Sequence, residues 1–139
     1  MAVFLSLSLA CGSSDQEQDL TDTPNQKPLS VVTTTALLAD LVNNVGGDLV
    51  SVTALVPPGA DVHSFQSTPA DNVVISRAAM VVSNGGGLDQ FLDQVIQRST
   101  SDGTVHILAA KALLELNDED PHFWQNPVFA VRYVESIRD

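Results

Sequence analysis

Short runs of β-branched and aliphatic residues alternate with longer amphipathic segments from residue 30 onward. Runs of Val, Ile, Leu and Thr that are about four to eight residues long are typical of strands packed in a sheet. The second run ends at the turn-forming residues Pro57, Pro58 and Gly59. The pattern predicts four strands, at residues 30–35, 49–56, 79–83 and 104–108.

The segments between the strands carry apolar residues at the spacing of a helix, which buries one helical face. Gly46 and Gly47 are expected to end the first helix. Thr68 is expected to cap a second helix that begins at Pro69. The predicted helices span residues 36–45, 69–77, 85–96, a short stretch at 110–116, and 127–139.

Strands that alternate with helices imply right-handed crossover connections and a parallel sheet. The predicted fold class is therefore α/β, with a parallel four-stranded sheet flanked by helices. In sheets of this kind, ligands bind outside the carboxyl ends of the strands. Side chains in the loops that follow the strands are the first candidates for a functional site.

The composition fits one ordinary domain and argues against nucleic acid as a partner. Of the 139 residues, 44% are hydrophobic, and the formal net charge is -11. Nucleic-acid phosphates require clustered Lys and Arg, whereas this chain has only six such residues, scattered along it. An acidic surface is compatible with attracting cations, although solubility is its simplest explanation.

The first eleven residues form an apolar run that is too short to span a bilayer. Its last residues, Leu9, Ala10 and Cys11, resemble a lipoprotein lipobox, in which the cysteine becomes the lipidated first residue of the mature protein. The alternative is a cysteine that follows an ordinary signal peptide by chance. Residues 12–29 are polar and are expected to form a flexible tether, which leaves residues 30–139 as the folded lobe.

Two histidines lie in short loops that proline makes stiff. His63 lies in the loop at residues 57–69, and His122 lies in the loop at residues 118–127. Proline fixes its own φ and restricts the residue before it. Side chains in these two loops are therefore expected to be held in place rather than to move freely.

Each of these histidines has a carboxylate nearby, Asp61 for His63 and Asp120 for His122. A transition-metal ligand needs a neutral imidazole whose second nitrogen is oriented by such an acceptor. The pattern predicts half of a metal site, with both imidazoles at the carboxyl edge of the sheet. It leaves open a second interpretation, in which both are ordinary hydrogen-bonded histidines. The third histidine, His106, falls inside a predicted strand and is expected to be satisfied by a neighbour.

Three polar or glycine-rich segments have simple structural interpretations. Residues 85–87 are glycines, but the lysine and Ser/Thr of a phosphate-binding loop are absent, so a tight strand-to-helix turn is predicted. Residues 33–35 are threonines that fit a strand, with the orientation of a ligand as the alternative. Residues 118–120 are acidic and are expected to form a solvated loop, with metal capture as the alternative.

Residues 30–139 resemble the zinc- and manganese-binding substrate-binding proteins of ABC importers. The segment DVHSFQSTP at residues 61–69 is similar to the family's D-P-H-x-Y-E-P-T-P, and DPHFWQNP at residues 120–127 is similar to its D-P-H-x-W-x-D-P. The segment NGGGLDQFL at residues 84–92 is similar to N-G-L-G-L-E-x-W-L, and LVPPG at residues 55–59 also matches. Several motifs in the right order make the resemblance specific.

Three positions beside the histidines depart from the family pattern. They replace a proline, a glutamate and an aspartate, and they are Val62, Gln66 and Asn126. These changes are expected to reduce the stiffness and the negative charge of the loops, while both histidines are kept.

The resemblance implies a periplasmic receptor, or a lipoprotein held at the membrane through Cys11. Such a receptor captures Zn²⁺ or Mn²⁺ outside the cytoplasm and delivers it to the membrane permease of an ABC importer. The resemblance also assigns His63 and His122 as metal ligands. The family's second lobe supplies the other ligands, a His or Glu and an Asp. This chain is therefore expected to correspond to the N-terminal lobe, to end in the helix that connects the lobes, and to bind metal weakly alone.

Two other functions remain open. Some family members are described as adhesins, so a surface adhesin with a structural metal is one alternative. A zinc-dependent hydrolase is the other, but it needs a third protein ligand and a placed general base. Asp61 and Glu119 are the candidates for that base, and no H-E-x-x-H cluster accompanies them. A transport receptor turns nothing over, so the chain is predicted not to be an enzyme.

Overall fold

The computed structural model describes residues 27–115 and 120–139 of the chain. The predicted signal segment, Cys11 and nearly all of the predicted tether lie outside these residues. Glu119 also lies outside them, and Asp120 is the one residue of the acidic stretch that is described.

Four strands form a parallel sheet in the described part of the chain. They are β1 (Leu29–Thr35), β2 (Val50–Val56), β3 (Met80–Ser83) and β4 (Val105–Leu108). Their order in the sheet is β2-β1-β3-β4, and each neighbouring pair is parallel. The predicted α/β class and the parallel four-stranded sheet are confirmed.

The first strand begins one residue earlier than the sequence predicted. Leu29 lies opposite Val50 in the ladder between β1 and β2. That pairing satisfies backbone groups that a free tether would leave to water. The tether prediction is therefore wrong at its last residue, Leu29, which belongs to the sheet.

Helices connect the strands and pack on both faces of the sheet. They are α1 (Ala36–Gly46), α2 (Pro69–Ser76), α3 (Gln90–Ser99) and α4 (Pro127–Arg138). Thr68 caps α2 as predicted, in a reciprocal capping box with Asp71. Within residues 27–115 and 120–139, none of the helices has the length and apolar character needed to cross a membrane.

Two predicted helices differ from the structure. The glycines at residues 85–87 do not open α3, which begins at Gln90, because each glycine has a positive φ that a right-handed helix excludes. The helix predicted at residues 110–116 contains a single 3-10 turn, Lys111–Leu113, in its described part. The N–H groups of Ala109 and Ala110, just before this turn, instead donate to the carbonyls of Ser83 and Asn84 at the end of β3.

Two apolar layers enclose the sheet. The layer between the sheet and helices α1 and α4 includes Val31 and the fully buried ring of Tyr133. The layer between the sheet and helices α2 and α3 includes Val32 and Leu92. Val31 and Val32 are adjacent in β1, and they enter different layers because successive strand residues point to opposite faces. Both layers together hold the carboxyl ends of the strands in place.

Candidate metal centre

The carboxyl edge of the sheet brings the two predicted site residues together. The loop after β2 carries His63, and the loop before α4 carries His122. The ring centres of these two histidines are 5.8 Å apart, and their planes are tilted by 58°. We refer to His63 and His122 as the histidine pair.

The separation within the histidine pair is compatible with one shared ion. Metal–nitrogen bonds to imidazole are about 2.0–2.1 Å long, which places the centres of two rings on one ion about 5–6 Å apart. The observed distance of 5.8 Å falls in that range. The assignment of both residues as ligands stays a prediction, which metal titration tests.

His122 is oriented by the carboxylate of Asp120. Asp120 Oδ1 accepts hydrogen bonds from the backbone N–H of His122 at 3.0 Å and from its ring Nδ1 at 2.8 Å. Because a carboxylate only accepts, a neutral His122 carries its proton on Nδ1 and keeps the lone pair of Nε2 free, as in metal-bound histidines. The backbone hydrogen bond, followed by the ring hydrogen bond, lowers the pKa of Asp120.

His63 is held by contacts within its own loop. Asp61 Oδ1 accepts the backbone N–H of His63 at 2.9 Å and caps the short turn Val62–Ser64. In the described part of the chain the His63 ring has no hydrogen-bond partner, so the prediction that Asp61 orients this imidazole is wrong. Asp61 instead shapes the backbone of the loop, in the contact that short polar side chains commonly make with the N–H two residues further on.

The only tryptophan of the sequence lies beside His122. The ring centre of Trp124 is 5.2 Å from that of His122 and 6.4 Å from that of Tyr133, with edge-on geometry in both cases. Trp124 also lines an open cleft of about 320 Å³ together with His63 and Asp61. The indole therefore lies against His122, where its emission serves as an optical reporter of the site.

A buried carboxylate, not predicted from the sequence, anchors the turn at residues 85–87, the glycine turn, near the carboxyl edge of the sheet. Asp89 is 1% exposed. Its Oδ2 accepts the hydroxyl of Thr34 at 2.6 Å and the N–H of Asn84 at 2.5 Å, and its Oδ1 accepts the N–H of Gly85 at 3.0 Å. Hydrogen bonds to a carboxylate are stronger than neutral ones. Thr34 is thus more than a strand residue, because its hydroxyl joins β1 to the turn.

One sequence signal indicates such an anchor without identifying it. Thr34 and Asn84 are polar, lie at or just after strand ends, and are buried in the structure. A buried hydroxyl or amide needs a hydrogen-bond partner. Asp89 is the partner of the Thr34 hydroxyl and of the Asn84 backbone N–H, but its place at the start of α3 is equally typical of an ordinary helix cap.

Two further predictions near the sheet edge are confirmed. Residues 85–87 form the predicted tight turn, with positive φ at each glycine. Gly86 also closely approaches the loop that carries His122, the second histidine loop. A Cβ atom at this position would lie 3.3 Å from Pro121 Cβ. His106 is satisfied by a neighbour, because its Nε2 lies 2.8 Å from Ser83 Oγ.

The candidate ligands in the described part of the chain do not complete a coordination sphere. Among residues 27–115 and 120–139, no group of three or more His, Cys, Asp or Glu side chains is placed to hold a metal ion. Zn²⁺ favours four ligands. An ion held by the histidine pair would therefore need water or another protein segment to complete its sphere.

Known proteins share the sequence pattern of this chain. The family model described as "Zinc-uptake complex component A periplasmic" (ZnuA) matches residues 31–139. The chain is 29% identical over 140 residues to the manganese-binding lipoprotein MntA of Halalkalibacterium halodurans, covering 99% of this chain and 45% of MntA. It is 27% identical over 154 residues to the manganese ABC transporter substrate-binding lipoprotein PsaA of Streptococcus pneumoniae, covering 99% of this chain and 48% of PsaA.

Solved structures share the fold. The Mn-bound periplasmic metal-binding protein of Candidatus Liberibacter asiaticus matches with a TM-score of 0.72 and 29% identity, covering 79% of this chain and 43% of that protein. The chain thus spans less than half the length of these relatives. Because the family match includes both histidine loops and most of the sequence, the chain belongs to the family of zinc-uptake complex component A periplasmic proteins.

Proposed function

We propose that this chain is the metal-capturing lobe of an extracytoplasmic receptor. The receptor binds Zn²⁺ or Mn²⁺ and delivers it to the membrane permease of an ABC importer. The observation that carries the proposal is the 5.8 Å between the ring centres of His63 and His122. Each imidazole gives one nitrogen to the same ion, and His122 uses Nε2 because Asp120 engages its Nδ1.

Two imidazoles fill half of a four-coordinate sphere. In the chain alone, water takes the remaining positions, and binding is weak. In a longer receptor, a second lobe supplies the other ligands. The relatives support this division of the ligands between two lobes, since the chain spans 45% of MntA and 48% of PsaA.

Nothing is turned over in this proposal, so neither histidine acts as a general base. A hydrolase would need a third protein ligand and a general base at an open metal position. Asp61, one of the two candidates for that base, is engaged by the backbone of His63. The names of the relatives, a metal-binding lipoprotein and an ABC transporter substrate-binding lipoprotein, also support transport.

The test of metal capture is a titration followed through the emission of Trp124. We expect Zn²⁺ to change this emission reversibly, because the indole lies 5.2 Å from His122, and calorimetry to give the same affinity. Half-saturation should need less Zn²⁺ than Mn²⁺, since affinity for nitrogen ligands rises along the Irving–Williams order. Mg²⁺, which prefers oxygen, is the matched control. An emission unaffected by Zn²⁺, with no heat of binding, would refute the proposal.

We also propose that Cys11 carries a lipid and that residues 12–28 tether the lobe to the membrane surface. Cys11 and residues 12–26 lie outside the described residues, and the lipoprotein names of MntA and PsaA support the proposal. Mass spectrometry of the mature protein is expected to give an N-terminus at Cys11 with a covalent lipid. A mature N-terminus elsewhere, or an unmodified cysteine, would contradict the anchor.

A further inference from the structure

We infer that Asn84 is a positioning residue for His122. Its buried side chain holds the peptide unit that leads into the histidine and ties that unit to helix α4. This inference rests on the proposed function, since Asn84 acts on metal binding only through a ligand.

The side chain of Asn84 joins three separate segments. Asn84 follows β3 directly and is 1% exposed. Its Nδ2 donates to the carbonyl of Gly85 at 2.9 Å and to the carbonyl of Pro121 at 3.0 Å. Its Oδ1 accepts the hydroxyl of Tyr133 at 3.0 Å. Because the first two partners are carbonyl oxygens, the NH₂ group has to face them, which sets the orientation of the amide.

The hydrogen bond to Pro121 acts directly on the backbone of His122. The carbonyl of Pro121 and the N–H of His122 belong to one planar peptide unit. Asn84 holds the carbonyl end of this unit, and Asp120 holds its N–H end, each at 3.0 Å. Proline also fixes φ on the other side of that carbonyl. The direction in which the His122 side chain leaves the backbone is therefore set before an ion arrives, which lowers the ordering cost of binding.

Tyr133 makes this arrangement depend on α4. Its side chain is fully buried, and that burial raises the pKa of its hydroxyl to about 12, so the group remains a hydrogen-bond donor at neutral pH. The same ring packs edge-on against Trp124, with centres 6.4 Å apart. Tyr133 thus supports the second histidine loop on both sides of His122. It bonds Asn84, which holds Pro121 before the histidine, and it packs against Trp124 after it.

The other ligand offers an internal comparison. His63 is held by Asp61, which lies in its own loop and bonds its backbone N–H. Among the described residues, the side chain of Asn84 bonds only Gly85 in the glycine turn, Pro121 in the second histidine loop and Tyr133 in α4. Loss of the Asn84 side chain should therefore weaken the contribution of His122 and leave that of His63 unchanged.

The test is a double-mutant cycle on zinc affinity in the 139-residue chain. Asn84→Ala is measured alone and in a His122→Ala background, by calorimetry and by the NMR signals of the His63 ring. Alone, it is expected to lower Zn²⁺ affinity about tenfold, as is typical of residues that orient a metal ligand. In the His122→Ala background it should change nothing, because the residue through which it acts is gone. An equal loss in both backgrounds, or no loss in either, would overturn the inference.

Two further variants separate positioning from general stability. Tyr133→Phe keeps the packing but removes the donor to Asn84, and an affinity loss of about threefold is expected. This variant decides the matter if Asn84→Ala does not fold, and an unchanged affinity would then overturn the inference. Thr104→Val is the matched control, since it removes a hydrogen bond to the carbonyl of Ala78, away from both loops. Its zinc affinity should equal that of the wild type.

Failure of the inference and failure of the proposed function give different results. If His122→Ala weakens zinc binding and Asn84→Ala does not, the histidine still binds metal and only the positioning role is excluded. If His122→Ala leaves zinc affinity unchanged, the proposed function itself fails.

Discussion

Replacing His63 or His122 with alanine is expected to lower the Zn²⁺ affinity of the chain by at least about tenfold. Loss of a residue that only orients a metal ligand already lowers affinity by about that factor, and loss of the ligand itself should cost no less. The double variant should bind no zinc in the range where the wild type saturates. The reason is that the described part of the chain holds no group of three candidate ligands, so neither imidazole has a substitute there. Isothermal titration calorimetry at neutral pH measures the effect.

The matched control for these variants is His106→Ala. This third histidine is exposed on β4, and its Nε2 is engaged by Ser83 at 2.8 Å. Its replacement should leave zinc affinity unchanged, because it removes an imidazole without touching the histidine pair. A loss of affinity in His106→Ala equal to that in His63→Ala would mean that zinc binds histidines non-specifically, and it would contradict the proposed site.

Replacing Asp89 with asparagine is expected to lower the free energy of unfolding by about 3 kcal/mol, since it weakens several buried charge-assisted hydrogen bonds at once. The Asp89 carboxylate accepts from Thr34, Asn84 and Gly85. An amide of the same shape directs an NH₂ group at donors and leaves at least one of them unpaired. Urea unfolding followed by far-UV circular dichroism measures the change.

The control for Asp89→Asn is Asp93→Asn in the same helix, α3. Burial, and after it the charge of Asp89, raises the pKa of Asp93. A pKa raised by folding means that ionised Asp93 opposes folding, so its contribution to stability falls as the pH rises past its unfolded pKa. Asp93→Asn should therefore leave stability at neutral pH unchanged or slightly increased. Equal destabilisation by the two substitutions would show that the three donors to Asp89 contribute little.

Local pattern predicted the architecture because each element carries its own signal. The four strands are short β-branched runs, and Thr68 and Pro69 mark a helix start by themselves. The predicted edge for His63 and His122 followed from a topological rule about parallel sheets. Their 5.8 Å separation did not follow from it, because that distance depends on how far each loop folds back over the sheet.

The hydrogen bonds behind the site were beyond sequence prediction because they join segments far apart in the chain. Thr34 bonds Asp89 and Asn84 bonds Pro121 across intervening strands and helices. Pattern identifies a polar residue at a strand end but not its partner. The prediction that Asp61 orients the His63 ring failed because the sequence does not show which way the ring turns. Asp120 engages both the backbone N–H and the ring of His122, whereas Asp61 engages only the backbone N–H of His63.

Zinc K-edge X-ray absorption of the frozen chain, loaded with less than one equivalent of Zn²⁺, tests most directly whether the histidine pair shares one ion. Scattering from two imidazoles at about 2.0–2.1 Å is expected in the wild type, and from one imidazole in either His63→Ala or His122→Ala. A wild-type spectrum that fits a single imidazole, or spectra that do not change in the two variants, would contradict the shared site.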